Sequence, residues 1–186
     1  MAAWLYGELM AETDLRQLPN EKSARYAALL SEIAAILAGE TNLYARCASI
    51  ASMLRIAFGA RFFWCGFYLV DPLKPSELVV GPYQGTLGCL RIPLGKGVCG
   101  WAALRRETII VPDVEAFPGH IACDSASRSE IVVPVFAKDG SLLGVLDVDS
   151  TECDTFDDVD AKGLALICAL VAADRPHLPG VKVNDT

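Results

Sequence analysis

Two apolar runs in the second half of the chain are separated by a short turn sequence, and this arrangement constrains the fold more than any other feature. The runs span residues 130–137 and 142–149, and the segment Lys138-Asp139-Gly140-Ser141 connects them. Because Asp-Gly between two apolar runs is typical of a tight turn, the sequence predicts an antiparallel β-hairpin here. The rest of the chain must then be arranged around a sheet that contains this hairpin.

Helical periodicity lies on both sides of the strand-like region. Apolar residues recur every three or four positions over 21–37, and Thr41 or Asn42 precedes a second such stretch that reaches about Phe58. A last helix is predicted over 156–173, with Thr155 as its cap and acidic residues in its first turn, where they complement the helix dipole.

Short strands are predicted between these helices, over 61–70, 77–80, 88–92 and 108–111, with a helix beginning near Val98. Helices, then strands, then one closing helix are typical of an α+β domain built on an antiparallel sheet. Alternation along the strand 61–70 predicts two faces. The apolar face, expected to meet the helices, carries Phe63, Cys65, Phe67 and Leu69, and the other carries Trp64, Gly66 and Tyr68.

Length and charge limit the domain organisation and the partners. A chain of 186 residues, 53% of them hydrophobic, is typical of one domain, which we expect over 23–173 between an N-terminal arm, 1–22, and a tail, 174–186. The net charge of -7, with scattered basic residues, argues against nucleic-acid binding. Neither a membrane span nor a signal peptide is apparent, so we expect a cytoplasmic protein.

Three of the seven cysteines, Cys89, Cys99 and Cys123, lie in segments punctuated by Gly and Pro rather than in apolar runs. Cys168, within Leu-Ile-Cys-Ala-Leu, has the surroundings of an inert buried thiol instead. An odd number of cysteines in a chain that is expected to be cytoplasmic favours redox or metal chemistry over structural disulfides.

Each of the three cysteines has a neighbour that favours a reactive thiol. Cys99 follows Gly95-Lys96-Gly97 at a predicted helix start, where backbone N–H groups would stabilise a thiolate. Arg91 lies close to Cys89 in sequence, and His120 precedes Cys123 as a candidate base. Two alternatives stay open: inert thiols, or a metal site of the three cysteines with His120, although the close Cys-x-x-Cys pairs of structural zinc sites are absent.

Acidic residues occupy one face of the predicted hairpin. Asp147 and Asp149 are two positions apart and share a face, and Glu130 begins the partner strand. Because burying carboxylates in an apolar strand is costly, we expect them to face a pocket or solvent. A pocket of this kind, walled by Trp64 and Tyr68, would bind a cation such as an ammonium group, and crowding would leave a proton available for acid catalysis. The alternatives are solvated strand ends and aromatic residues that only pack in the core.

Five segments together resemble the free methionine-(R)-sulfoxide reductases, in order and in spacing, across residues 23–172. They are GCLRIP (88–93), GKGVCG (95–100), GHIACD (119–124), SEIVVP (129–134) and GVLDVDS (144–150). The resemblance implies a GAF domain, with a central antiparallel sheet of about six strands and the N-terminal and C-terminal helices on one face. GAF domains also include sensors of cyclic nucleotides, and a general thiol peroxidase is a further rival.

The resemblance also implies a chemistry and residue roles. Free methionine-(R)-sulfoxide would be reduced through a cysteine sulfenic acid and an intramolecular disulfide, which thioredoxin or a similar dithiol protein reduces, with no bound cofactor or metal. Cys65, Cys47 and Cys168 are assigned to the core. Cys153 lies outside the motifs and is left unassigned, and the oligomeric state is open, a homodimer being one option. The implied roles are catalytic for Cys123, resolving for Cys89, a secondary redox role for Cys99, and substrate binding for Trp64, Tyr68, Glu130, Asp147 and Asp149.

Overall fold

A six-stranded antiparallel sheet forms the centre of the computed structural model, which describes residues 14–121 and 123–172. The strand order is β3-β2-β1-β6-β5-β4, and all neighbouring strands run antiparallel. The predicted α+β class is therefore confirmed. The strands are β1 (Trp64–Asp71), β2 (Lys74–Gln84), β3 (Arg91–Pro93), β4 (Ile109–Val111), β5 (Ser129–Phe136) and β6 (Leu142–Ser150).

The hairpin predicted from the Asp-Gly turn is formed by β5 and β6. Gly140 adopts a φ of 80°, in the left-handed region that glycine tolerates best. The Asp139 carboxylate accepts a hydrogen bond of 2.9 Å from the backbone N–H of Ser141. This turn fixes a register in which Glu130 lies opposite Asp149, and the hairpin therefore places two of the predicted site acids side by side.

Helices cover both faces of the sheet. On one face, α2 (Leu43–Phe58) and α4 (Asp158–Ala169) pack against the strands, and α1 (Lys22–Ile36) packs against these two helices. The short helix α3 (Gly97–Arg105) lies on the opposite face. The predicted placement of the N-terminal and C-terminal helices on one face is confirmed.

The predicted start of α4 is wrong by a few residues. Asp157, not Thr155, caps the helix, because its carboxylate accepts the N–H groups of Val159 and Asp160 while the Asp160 side chain accepts the N–H of Asp157. The Thr155 hydroxyl donates instead to Ser150 Oγ, at 2.9 Å. A reciprocal capping box satisfies two otherwise unpaired N–H groups, which explains why the aspartate is the cap.

The predicted start of the first strand is also wrong. Residues Gly59–Arg61 form a 3-10 turn, and β1 begins only at Trp64. Phe63 therefore precedes the strand and packs beside Trp64 rather than beside Cys65, contrary to the alternation argument. Cys65 itself lies in the core under the helices together with Cys47 and Cys168, as predicted.

The ends of the chain fall largely outside the described residues. Leu15–Gln17 forms a 3-10 turn capped by Asp14. Residues 1–13 of the predicted arm, and the predicted tail over 174–186, lie outside the description, so the domain boundaries stay predictions. Within residues 14–121 and 123–172, none of the helices has the length and apolarity needed to cross a membrane.

Candidate active site

A row of side chains crosses the three central strands on the face that carries α3. Trp64 of β1 pairs with Asp149 of β6, which in turn pairs with Glu130 of β5. Asp147 precedes Asp149 by two residues on the same face of β6 and pairs with Gly66 of β1. Glu130 and Asp147 are only 5% and 6% exposed, so they are not the solvated strand-end acids of the alternative interpretation.

Crowding and burial keep protons on this acidic cluster. Burial raises the pKa of Glu130 well above its usual value, and the nearby charges of Asp147 and Asp149 raise it further. Burial raises the pKa of Asp147 to about 7, against the opposing effect of hydrogen bonds with Cys99 and Glu130. The pKa of Asp149 is likewise raised, first by burial and then by Asp147. The cluster can therefore supply a proton near neutral pH, as the crowding predicts.

One oxygen of the cluster lacks a hydrogen-bond partner. Asp147 Oδ1 is buried, and none of the described residues donates to it. An unpaired buried acceptor is costly, so this atom favours binding of a donor that enters the cavity, such as an ammonium group.

Aromatic rings form the wall beside the acids. The rings of Trp64 and Tyr68 stack with centroids 5.6 Å apart, and Tyr83 also stacks on Trp64, with centroids 5.2 Å apart. Trp64 and Tyr68 belong to a buried apolar cluster and also line the cavity. The two interpretations, core packing and a pocket wall, therefore both hold. The indole N–H donates to the backbone carbonyl of Thr86 at 3.1 Å, which fixes the ring at the side of the cavity.

A disulfide between Cys89 and Cys123 joins two loops at the mouth of the cavity. Their Cα atoms are 5.3 Å apart although the residues are 34 positions apart in sequence. The Cys89 loop lies tightly on the aromatic wall, since a side chain at Gly88 would place its Cβ 2.8 Å from the Tyr68 hydroxyl. This close approach explains why glycine precedes the cysteine.

Cys99 does not have the activated thiolate that its place at a helix start predicts. It is buried, and its thiol lies 3.9 Å from Glu130 Oε1, to which it donates a hydrogen bond. Burial, together with the charges of Asp147 and Glu130, raises its pKa well above the usual value. The prediction fails because two acidic neighbours and burial outweigh the N-terminal dipole of α3.

The expected partners of the other two cysteines also lie elsewhere. Arg91 forms ion pairs with Asp71 at 2.6 Å and with Glu77 at 3.2 Å, on the neighbouring strand pair, rather than with a thiolate. His120 faces the acids instead, with Nε2 3.8 Å from Glu130 Oε2, and partial burial lowers its pKa.

The alternative metal site of Cys89, Cys99, Cys123 and His120 cannot form while the disulfide is present, because the sulfur atoms of Cys89 and Cys123 are bonded to each other. A different set, Cys99, Glu130 and Asp147, brings its ligand atoms within 4.8 Å of one another. These are the side chains that a metal ion in the cavity would contact.

Seven of the eight predicted site residues line one cavity, and the eighth, Cys89, is bonded to Cys123. Sequence reasoning missed Leu87, Ile121, Asp124 and Ser127, which line it as well. Leu87, Ile121 and Asp124 lie within two residues of a loop cysteine, a signal that could have found them, whereas nothing in the sequence marks Ser127. The cavity volume is about 30 Å³, enough for about two water molecules.

The sheet order, the placement of the helices and this cavity define a GAF domain, and the GAF domain family matches residues 42–174. GAF domain-containing protein A of Dictyostelium discoideum is 49% identical over 162 residues, which are 87% of this chain and 99% of that protein. The free methionine-R-sulfoxide reductase of Escherichia coli K12 is 44% identical over 148 residues, 80% of this chain and 87% of that protein.

A solved structure gives the same result. The free methionine-R-sulfoxide reductase from Neisseria meningitidis, in complex with its substrate, has a TM-score of 0.78 and 48% identity, and the match covers 82% of this chain and 89% of that one. The chain belongs to the free methionine-(R)-sulfoxide reductase family of GAF domain proteins, a family of oxidoreductases.

Proposed function

We propose that this protein reduces free L-methionine (R)-S-oxide to L-methionine by cysteine chemistry. The observation that carries the proposal is the Cys89–Cys123 disulfide at the mouth of a cavity with an acidic floor and an aromatic wall. The relatives of that name support the choice of substrate.

The cavity suits a small zwitterion that carries a polarised sulfur. The substrate ammonium would donate to the acids, beginning with the unpaired Asp147 Oδ1. The S-methyl group would contact the part of the Trp64 indole that lines the cavity, and the substrate carboxylate would accept hydrogen bonds from backbone N–H groups. An acidic floor repels a nucleotide phosphate, which disfavours the cyclic-nucleotide sensor as a rival.

In the first step the Cys123 thiolate attacks the sulfoxide sulfur, while Glu130 or Asp149 donates a proton to the sulfoxide oxygen. This attack forms a sulfur–sulfur bond to a four-coordinate intermediate that carries the hydroxyl. The hydroxyl then moves from the substrate sulfur to Cys123 Sγ as the sulfur–oxygen and sulfur–sulfur bonds break, so methionine leaves with the electron pair and Cys123 is left as a sulfenic acid. Raised pKa values on both carboxyls support their role as the acid.

In the second step the Cys89 thiolate attacks the sulfenic sulfur, the sulfur–oxygen bond breaks, the hydroxide takes up a proton and leaves as water, and the disulfide forms. A protein dithiol such as thioredoxin then reduces this disulfide by thiol exchange, which we expect to occur in the cytoplasm, where such dithiols are kept reduced. Cys99 is a free, buried cysteine that is bonded to neither loop cysteine. Its role would be to support Glu130 as the acid, through the hydrogen bond that its thiol donates to that carboxyl.

The test is a side-by-side assay of free (R)-sulfoxide, free (S)-sulfoxide, peptide-bound sulfoxide and hydrogen peroxide, with dithiothreitol as reductant. We expect turnover of the free (R) epimer alone. Cys123→Ser should abolish it, and the exposed Cys153→Ser serves as the matched control. Cys89→Ser, first reduced and then freed of dithiothreitol, should release one methionine per protein molecule. Consumption of peroxide without sulfoxide turnover would instead indicate a thiol peroxidase.

A further inference from the structure

Large apolar side chains are exposed around the disulfide. Leu87 and Leu90, which flank Cys89, are 83% and 75% exposed, and Ile121, two residues before Cys123, is 38% exposed. We call these three residues the apolar rim. Leu87 and Ile121 line the mouth of the cavity together with Cys123, so the rim surrounds the sulfur atoms.

The apolar rim carries no charge, although the whole chain is acidic. Neither segment that contributes to it, 78–90 or 116–123, contains Lys, Arg, Asp or Glu, in a chain of net charge -7. Ile121 packs beside the turn at Gly97, where an added Cβ would lie 3.2 Å from it, and the exposed Leu104 packs beside Gly95 on the same turn. Apolar contacts therefore continue past the rim to Leu104 of α3, with the exposed Lys96 on the turn between Gly95 and Gly97.

Exposed leucines lack the stabilisation that burial of such a side chain provides. Clusters of them mark surfaces that contact a partner. Here the cluster surrounds the one bond that an external molecule must attack in every catalytic cycle.

We propose that the apolar rim is the docking surface of the reductant, a folded protein dithiol of the thioredoxin type. This rests on the proposed function. A thiolate of the dithiol attacks one sulfur of the Cys89–Cys123 bond, which forms a mixed disulfide and releases the other cysteine as a thiolate. The second thiol of the reductant then breaks the mixed disulfide, so two electrons pass to this protein and the reductant leaves as a disulfide.

A protein reductant needs such a surface, whereas a small dithiol needs only access to sulfur. Redox partners meet through small interfaces, below about 1,200 Å² in total, so a few side chains can supply most of the contact. The centres of interfaces are depleted in charge, and the two rim segments share that property.

The experiment compares two reductants on the full chain: dithiothreitol, and thioredoxin recycled by its reductase and NADPH. Leu90→Ser and Leu90→Asp are the informative variants, because Leu90 belongs to the rim but does not line the cavity. Leu166→Asp, at a 58% exposed position of α4 on the other face of the sheet, is the matched control.

We expect kcat/KM for thioredoxin to fall about tenfold in Leu90→Ser, and further in Leu90→Asp. Turnover with dithiothreitol should stay within about twofold of wild type, and the control should change neither reaction. An unchanged kcat/KM for thioredoxin, an equal loss with both reductants, or a wild-type protein that uses dithiothreitol but not thioredoxin would each overturn the docking surface. A wild-type protein that turns over with neither reductant refutes the proposed function itself.

Discussion

Thr86 Oγ1 donates a hydrogen bond of 2.6 Å to Asp124 Oδ2, and this bond joins the Cys89 loop to the residue that follows Cys123. The other Asp124 oxygen accepts the N–H of Ala126 at 2.8 Å, which fixes the carboxylate in its own loop. The backbone carbonyl of Thr86 is held by the Trp64 indole. The two loops are thus aligned by contacts other than the disulfide.

We predict that Thr86→Val slows formation of the disulfide but not release of the first methionine. Loss of one such hydrogen bond corresponds to a factor of roughly 3 to 10 in rate. Trapping of the sulfenic acid with dimedone during a single turnover measures the effect, and Thr86→Ser, which keeps the hydroxyl, should behave like wild type. Disulfide formation at the wild-type rate in Thr86→Val would show that the contact does not align the cysteines.

The small volume of the cavity leads to a prediction about binding. At about 30 Å³ it is well below the roughly 300 Å³ of a typical ligand pocket, so we expect the loops to separate after the disulfide is reduced. By calorimetry, Cys123→Ser, which can neither react nor form this disulfide, should bind the free (R)-sulfoxide, whereas oxidised wild type should bind at least about tenfold more weakly. Equal affinities would mean that the site opens independently of the disulfide.

The position of Cys99 predicts a change of pH profile rather than a loss of the disulfide. Its hydrogen bond to Glu130 lowers the pKa of that carboxyl, against the larger effects of burial and charge. Removing the thiol in Cys99→Ala should raise the pKa of Glu130 further, so the alkaline limb of the kcat profile should move to higher pH if Glu130 is the acid. Failure of the Cys89–Cys123 disulfide to form in this variant would instead make Cys99 a resolving cysteine.

Local signals predicted most of the fold. The Asp-Gly turn identified β5 and β6, and Asn42 caps α2 through its hydrogen bond of 3.1 Å to the N–H of Ala45, as one of the two predicted caps. The errors occur where two local signals compete, as at Thr155 and Asp157, both of which are good cap residues. Sequence alone does not decide between them, because the choice depends on the reciprocal bond from Asp160.

The candidate site was harder to predict, because its chemistry depends on contacts between distant segments. Strand alternation placed Asp147 and Asp149 on one face, and the resemblance to the family assigned the cysteines. The environment of Cys99 depends on Glu130, 31 positions away. The ion pairs of Arg91 with Asp71 and Glu77 likewise depend on sheet register, which neighbouring residues do not reveal.

The acidic cluster should make the protein less stable as pH rises. Burial raises the pKa of Asp147 to about 7 in the folded state, against about 3.9 in an unfolded chain. The unfolded state therefore releases this proton first, and the free energy of unfolding should decrease between about pH 4 and pH 7. Asp147→Asn removes the titration, so its stability relative to wild type should be greater at pH 8 than at pH 5, by on the order of 2 kcal/mol in urea unfolding. Asp154→Asn, in an exposed loop, is the control. An equal difference between Asp147→Asn and wild type at the two pH values would show that Asp147 is ionised at no cost in the folded protein.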